Sequence, residues 1–426
     1  MSRQPQIDDK PSGPRVGKLL QSGIIFSAIS FLTNVGNLAF QAVMGRHLKT
    51  SGDYGSANSV LNAIMPLLGL MSAAATFAVT HYIAHFNAVG DAPRLQGLLA
   101  GCRKFLFHLT ILGSALAVVV IVPLGSFFHY NGSLMLVTLG CTLLGLWASL
   151  ATALCQGLAW FKRLALIGFI GMVLRIFFGW FITLKWPSQE TAVLASAFAY
   201  LASLILFFWK KDLSLRGEAV SPWNREFVLY LVVSAAYVVG NYCFTLGDLL
   251  VMQHYFPDAD RDAYTAAERL AAGLPTAVGP LLAVFFTYRS IAHTGAALRE
   301  QLKLIGLYAV GLVGGAVALF ALRIFCLKLL GKYTPEAAAM IGQLSVTMIF
   351  VGLLQAIGTW ALASRWSKIP LFFGALGIGY LLTLLTIGKN PAALLQTMPV
   401  AAGTAFAILF FVWLIAMLRH KPAAQS

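Results

Sequence analysis

Apolar runs of about 20 residues recur almost from end to end of the chain, parted by short polar connections. A run of that length crosses the hydrocarbon core of a bilayer as a helix. Read in order, the spans fall at 19–44, 55–86, 98–122, 133–158, 163–184, 191–209, 226–256, 263–288, 302–328, 337–363, 367–387 and 396–418. The fold class that follows is all-α: a polytopic membrane protein of about twelve transmembrane helices. The second and seventh spans are longer than a bilayer needs, so they are expected to tilt or project. Pro66, Pro275, Pro280, Gly311, Gly314 and Gly315 lie inside spans, where kinks are tolerated because neighbouring helices and water satisfy the freed backbone groups. The first 18 residues are polar and basic, and the apolar run behind them is too long for a signal-peptide core. Leu19 therefore opens a retained first helix.

The longest internal connection divides the chain into a tail (1–18), a first set of six spans (19–209), a linker (210–225), a second set of six spans (226–418) and a second tail (419–426). The halves carry a trace of one another. Val35-Gly36-Asn37-Leu38-Ala39-Phe40 in the first span matches Val239-Gly240-Asn241-Tyr242-Cys243-Phe244 in the seventh, and each precedes a helix that opens on a tyrosine, Tyr54 or Tyr264. Their equivalent positions point to a parallel repeat.

Composition agrees with the pattern. Apolar residues make up 59% of the chain and charged ones 11%, with a mean hydropathy of +0.79; a soluble domain has roughly 25% charged residues. The net charge of +15 is not gathered into a basic stripe, which argues against nucleic acid as a partner. It reads instead as an orientation signal. With the N-terminus inside, twenty Lys and Arg residues of the connections fall on the cytoplasmic side and seven on the other, so both termini are expected in the cytoplasm. Trp160, Trp186, Trp209, Trp223 and Trp366 stand near span ends, as interfacial anchors do. The five cysteines form no CxxC pair and read as small buried packing residues.

No connection is large enough to house an active site, and the chain has no metal-ligand cluster, nucleotide-binding glycine loop or nucleophile motif. A non-enzyme without a cofactor is expected. His81 and His85 are an i, i+4 pair without a third ligand nearby, and read as interfacial histidines. The informative residues are ionisable ones within spans, where each costs a few kcal/mol at the bilayer centre. Arg175 lies mid-span, Asp248 in the outer half of the seventh span, and Glu268 and Arg269 about two turns into the eighth; Arg323 is close enough to an end to snorkel. Asn241, Thr245 and Asp248 share one helix face, Asn34, Asn37 and Gln41 do much the same on the first span, and Asn58 and Asn62 on the second. Two readings stand: interhelical hydrogen bonding in a packed bundle, or a hydrated central cavity lined by both halves. In such a cavity Arg175 and Arg269 offer bidentate donors for a phosphate or pyrophosphate. Alternatively Arg269 neutralises Asp248 or Glu268, and the two arrangements could alternate. Asp248 is also a candidate site for a coupling proton or sodium ion.

Arg46-His47-Leu48 with Tyr54-Gly55 opening the second span resembles the start of the polysaccharide/oligosaccharide flippases of the multidrug/oligosaccharidyl-lipid/polysaccharide (MOP) exporter superfamily. Gln156, Phe161, Ala165 and Arg175 resemble that family's pattern from the fourth span into the fifth, and Asp248 with Tyr264, Ala267, Arg269 and Leu270 resembles its seventh-to-eighth hairpin. The chain departs from the family where Lys49-Thr50-Ser51 replaces a small turn and where Asp262 stands in place of a glycine. The resemblance implies a V-shaped pair of six-helix bundles around a central cavity, in a bacterial inner membrane. It implies alternating-access translocation of undecaprenyl-diphosphate-linked oligosaccharide for cell-surface polysaccharide such as O-antigen lipopolysaccharide. Arg175 and Arg269 are then expected to neutralise the diphosphate, with Asn34, Asn37, Gln41 and Asn241 lining the path and Asp248 and Glu268 serving ion coupling or charge pairing. Lipid-linked oligosaccharide and membrane lipids are the implied partners, with a polysaccharide polymerase and glycosyltransferases beside them. Two alternatives compete: an ion-coupled multidrug exporter of the same superfamily, and a membrane-embedded glycosyltransferase or polymerase. The exporter calls for acidic residues to dominate the cavity. The enzyme calls for catalytic acids, and the only acidic outer cluster is Asp258, Asp260 and Asp262.

Overall fold

A computed structural model describes residues 16–208, 225–291 and 298–419. Most of both tails, nearly all of the linker at 210–225, and Trp209 and Trp223 lie outside the described residues. The elements in order are α1 (Val16–His47), α2 (Asp53–Ser59), a π-helical turn (Val60–Ile64), α3 (Met65–Leu68), α4 (Leu70–Val89), α5 (Ala92–Phe127), α6 (Gly132–Gly157), α7 (Phe161–Lys185) and α8 (Gln189–Phe208). After the linker come α9 (Arg225–Tyr255), α10 (Asp258–Ile291), α11 (Leu298–Leu330), α12 (Pro335–Ala363), α13 (Lys368–Ile387) and α14 (Pro391–Arg419). Eleven expected spans are single helices, and the second is the broken run from α2 to α4. Among the described residues, eight helices are long and apolar enough to cross a membrane, nine with α2–α4 counted as one bent span. The start of α10 departs from expectation: it begins at Asp258, so its first turns carry six charged residues up to Arg269.

The break in the second span has a local cause. Pro66 offers no N–H to the carbonyl one turn back, and the preceding turn widens into a π-helix. The chain then bends by 61° at Gly69.

Both halves pair their helices in the same order. In the first bundle α1 packs on α7, α4 on α6, α6 on α8 and α7 on α8; in the second α9 packs on α13, α10 on α12, α12 on α14 and α13 on α14. The repeated hexapeptides sit at equivalent contacts. Gly36 faces Met172 of α7, and Gly240 faces Phe373 and Gly374 of α13. Lipid tails are as apolar as leucine, so helices in a membrane associate through close packing, and small residues permit it. At α9–α13 the two backbones approach closely: a Cβ on Gly377 would lie 2.5 Å from the Gly240 Cα.

The bundles meet along two seams, α4 against α9 and α1 against α10. One end of the molecule carries the turns α1–α2, α9–α10 and α11–α12, and is called the near end below; the opposite end carries α4–α5, α6–α7 and α12–α13. At the near end the Asp262 carboxylate accepts the Gly55 N–H at 2.8 Å and the Lys332 ammonium at 2.8 Å, while Lys332 also donates to the Leu48 carbonyl at 3.3 Å. At the opposite end Tyr82 packs on Phe227 at 5.1 Å and Phe77 on Tyr237 at 5.2 Å between ring centroids.

Gly377→Val forces α9 and α13 apart and is expected to cost about 1–3 kcal/mol. Gly379→Val, where an added Cβ meets nothing within 4 Å, stays within about 0.5 kcal/mol. Thermal unfolding of the detergent-solubilised protein checks the pair.

Candidate functional site

The α2–α4 bend carries Asn62 and Pro66 toward the second bundle, where they meet residues of α9, α10 and α12 around a cavity of about 360 Å³. Asn241 and Thr245 enter it from α9, Arg269 and Thr276 from α10, and Gln355 from α12, with Leu61, Leu246 and Met348 supplying apolar wall. The wall mixes amides, hydroxyls and methyls, as a site for an amphipathic organic molecule does.

Prolines in α10 shape this wall. Pro280 lacks the N–H that a helix would give to the Thr276 carbonyl, and Asn34 of the opposite bundle supplies one: its Nδ2 donates to Thr276 O at 2.9 Å. A second such contact runs the other way. The Tyr242 hydroxyl of α9 donates to the Ala63 carbonyl in the π-helical turn at 2.6 Å.

The expected site residues go to different places. Arg269 and Asn241 line the cavity. Asn34 bridges the bundles beside it. Asn37 and Gln41, on nearly the same face of α1, bond elsewhere: the Asn37 Oδ1 accepts from Arg175 Nη1 at 3.4 Å, and the Gln41 Oε1 accepts from the Tyr54 hydroxyl at 3.2 Å. Asp248 shares the helix face of Asn241 and Thr245 yet is not among the cavity's lining residues; at its level it is buried, accepting from the Tyr264 hydroxyl at 2.7 Å through Oδ2. Its Oδ1 has no partner.

The two arginines have opposite electrostatic standing. Arg269 is bound through Nε and Nη2 to both carboxylate oxygens of the fully buried Glu268. Of the two open alternatives for Arg269, the structure therefore holds the paired one, with Glu268 as partner. A bidentate carboxylate pair uses much of the guanidinium's donor edge, so the cavity wall here is close to neutral. Arg175 is absent from that wall. It sits inside the first bundle with its guanidinium 4.2 Å from the Phe40 ring centroid and its Nε unsatisfied. Among the described residues no acidic side chain pairs with it.

His81 corrects the interfacial reading: it is 2% exposed, inside the α4–α9 seam. Gln355, Thr276, and the Asp262–Lys332 pair were not singled out by sequence. Gln355 is one of two amides in its apolar span, with Gln343; the others became visible only when partners distant in sequence were placed beside them. Among the described residues no group of three or more His, Cys, Asp or Glu is placed to hold a metal.

Two six-helix bundles with a repeated order of helix pairs enclose a polar cavity. Solved structures share this fold. The chain is similar to a multidrug resistance MATE family transporter of the MOP superfamily in an outward-facing conformation, at 13% identity and a TM-score of 0.72, covering 95% of this chain and 98% of that one. It is similar to the MATE multidrug transporter DinF-BH, at 13% identity and a TM-score of 0.72, covering 98% and 99%. It is also similar to MATE in complex with MaL6, at 13% identity and a TM-score of 0.72, covering 94% and 96%. No family model matches the chain, and no curated protein does. The likeness shows that the chain shares the fold of these proteins, and it leaves the polysaccharide branch without support from them.

Removing one partner of a buried ion pair leaves the other uncompensated. Arg269→Ala is therefore expected to cost about 3–5 kcal/mol, and Glu268→Gln combined with Arg269→Met to recover most of it. Thermal stability of the two variants and the parent in detergent tests this.

Proposed function

We propose that the protein is an ion-coupled exporter of amphipathic organic molecules, working by alternating access of the cavity between its bundles. The observation that carries this reading is the bidentate Glu268–Arg269 pair in and behind the cavity wall. It leaves the cavity without the paired free guanidinium groups that an anionic diphosphate calls for. The solved neighbours described as multidrug transporters lend it support.

Asp248 is the coupling site on this reading. Two carboxyl groups, Asp248 and Glu268, are buried close to one guanidinium, and Glu268 engages it. Asp248 holds only a tyrosine hydroxyl and keeps a buried oxygen without a partner. A buried carboxyl of that kind is completed by a proton or a sodium ion. The Lys and Arg bias orients the α4–α5 and α12–α13 end toward the cytoplasm, with both termini there and the near end facing outward; a bacterial inner membrane is the expected home.

A second reading keeps one observation in its favour. Arg175 has no carboxylate among the described residues and a buried Nε without a partner, so it suits an anionic group that reaches the first bundle. That is the lipid-linked oligosaccharide flippase, with a polymerase and glycosyltransferases as partners.

Everted membrane vesicles containing the protein are expected to take up an organic cation dye when a proton or sodium gradient is imposed, and Asp248→Asn to abolish the gradient dependence at normal protein levels. Surface glycan of cells carrying Arg175→Ala is expected to be unchanged. Absence of dye uptake together with loss of surface glycan in Arg175→Ala decides for the flippase.

A further inference from the structure

Beside its ring packing, the α4–α9 seam carries at its α12–α13 end a contact that depends on one protonation state. Arg365, in the turn after α12, reaches across to the first bundle and donates from Nε to His81 Nε2 at 2.8 Å. Its guanidinium also lies 5.6 Å from the Tyr82 ring centroid.

The turn is built to aim that side chain. α12 ends with the Arg365 N–H bonded to the Leu362 carbonyl at 3.1 Å and the Trp366 N–H bonded to the Ala361 carbonyl at 2.9 Å, the paired bonds of a Schellman cap. The residue at its left-handed position is usually glycine, because a Cβ is penalised there. Here it is Arg365, with φ +58°. An arginine held in a glycine's backbone conformation, with its side chain turned across the seam, marks a position where the side chain outweighs the backbone penalty.

The chemistry of the contact is one-sided. A guanidinium has donors only and stays charged, so His81 Nε2 has to present a lone pair. A proton from water on that nitrogen turns the imidazole into an imidazolium, and two donors with like charge then face each other. The hydrogen bond cannot survive that step. Aromatic rings hold the imidazole in place: Tyr230 of α9 stacks on it at 4.7 Å between centroids, and Tyr82 of α4 meets it edge-on at 5.5 Å. His85 lies one turn further along α4. The carboxylate of this part of the seam is Glu226, which lines a cavity of about 210 Å³ with Tyr82, Tyr230, Arg365 and Ser367. Arg365 and Glu226 thus line the same cavity, which has room for water.

We propose that His81 is a proton site, distinct from Asp248, whose occupation releases Arg365 and opens the α4–α9 seam at this end. The inference rests on the alternating-access reading, but its test needs no substrate. The reporter is Thr276→Cys, in the cavity wall, whose bond to Asn34 uses the backbone carbonyl and so survives the substitution. It is labelled with a membrane-impermeant maleimide from the α12–α13 side, each rate being divided by that of the unfolded chain at the same pH and corrected for the parent cysteines.

Labelling is expected to rise several-fold as the pH falls from about 8 toward about 5, the range in which imidazoles titrate. His81→Gln, which accepts through its amide oxygen but does not titrate, is expected to stay low at every pH. Arg365→Ala, at an exposed position, is expected to label fast at every pH. The proposal is overturned by a flat response in the parent, by a retained pH response in His81→Gln, or by slow labelling of Arg365→Ala at high pH. If His81→Gln does not fold, the parent and Arg365→Ala decide alone. Dye uptake that persists when these rates contradict the proposal removes the proton site and leaves the exporter reading standing. Absence of labelling from either side in every variant removes alternating access itself.

Discussion

In a bilayer core there is no water to complete a polar group, so each one needs a partner from the protein or from a wet cavity. Much of this architecture follows from where those partners are found. Pro280 strips the Thr276 carbonyl of its helical donor, and the donor comes from Asn34 in the other bundle. The π-helical turn beside Pro66 has its Ala63 carbonyl bonded by Tyr242, again from the other bundle. Breaks in two helices thus become hydrogen bonds between the bundles. They fall beside the cavity because a kinked helix cannot fill the space that a straight one would.

Charge follows the same rule with a different outcome. Arg269 stands in the cavity wall because Glu268, its neighbour in sequence, lies fully buried behind it and neutralises it. Arg175 has only an amide oxygen and the face of Phe40. A cation–π contact of this kind is worth on the order of 0.5–2 kcal/mol, less than a buried charge costs. The cation of the first bundle therefore lacks a carboxylate among the described residues while that of the second has one, and the repeat is symmetric in packing but not in charge.

The spans were legible because lipid demands length and apolarity together, a requirement that few other structures share. The buried charges were legible too, since a carboxyl or guanidinium in such a run is costly wherever it points. Their destinations were not. Asn34, Asn37 and Gln41 lie close to one face of α1, but seven residues of helix rise about 10 Å, and at three heights that face meets three different neighbours. Asp248 slips from the cavity for the same reason. The bend at Gly69 depends on how far the chain can turn before it meets α6 and α9, so Pro66 announced a kink without giving its angle. His81 was the hardest case. An i, i+4 histidine pair near a span end looks interfacial until Arg365, 284 residues further on, is laid against it.

The two ends of the interface between the bundles are held by unlike chemistry. At the near end Asp262 joins Lys332 and the Gly55 N–H, a fixed anion between a fixed cation and a backbone donor, with both charged side chains 15% exposed. Asp262 is also a point where the chain departs from the flippase pattern, so this lock is a feature of the present sequence. Opening that end separates charges without changing their number. At the other end, beside ring packing of Tyr82 on Phe227 and Phe77 on Tyr237, an imidazole nitrogen accepts from a cation, a contact that a proton on that nitrogen would break. If the bundles rock about their common cavity as proposed, one contact is exchanged for the other. On the proposed reading, solution pH acts at the end whose contact depends on a proton, and the charge-paired end responds to what the cavity and Asp248 hold.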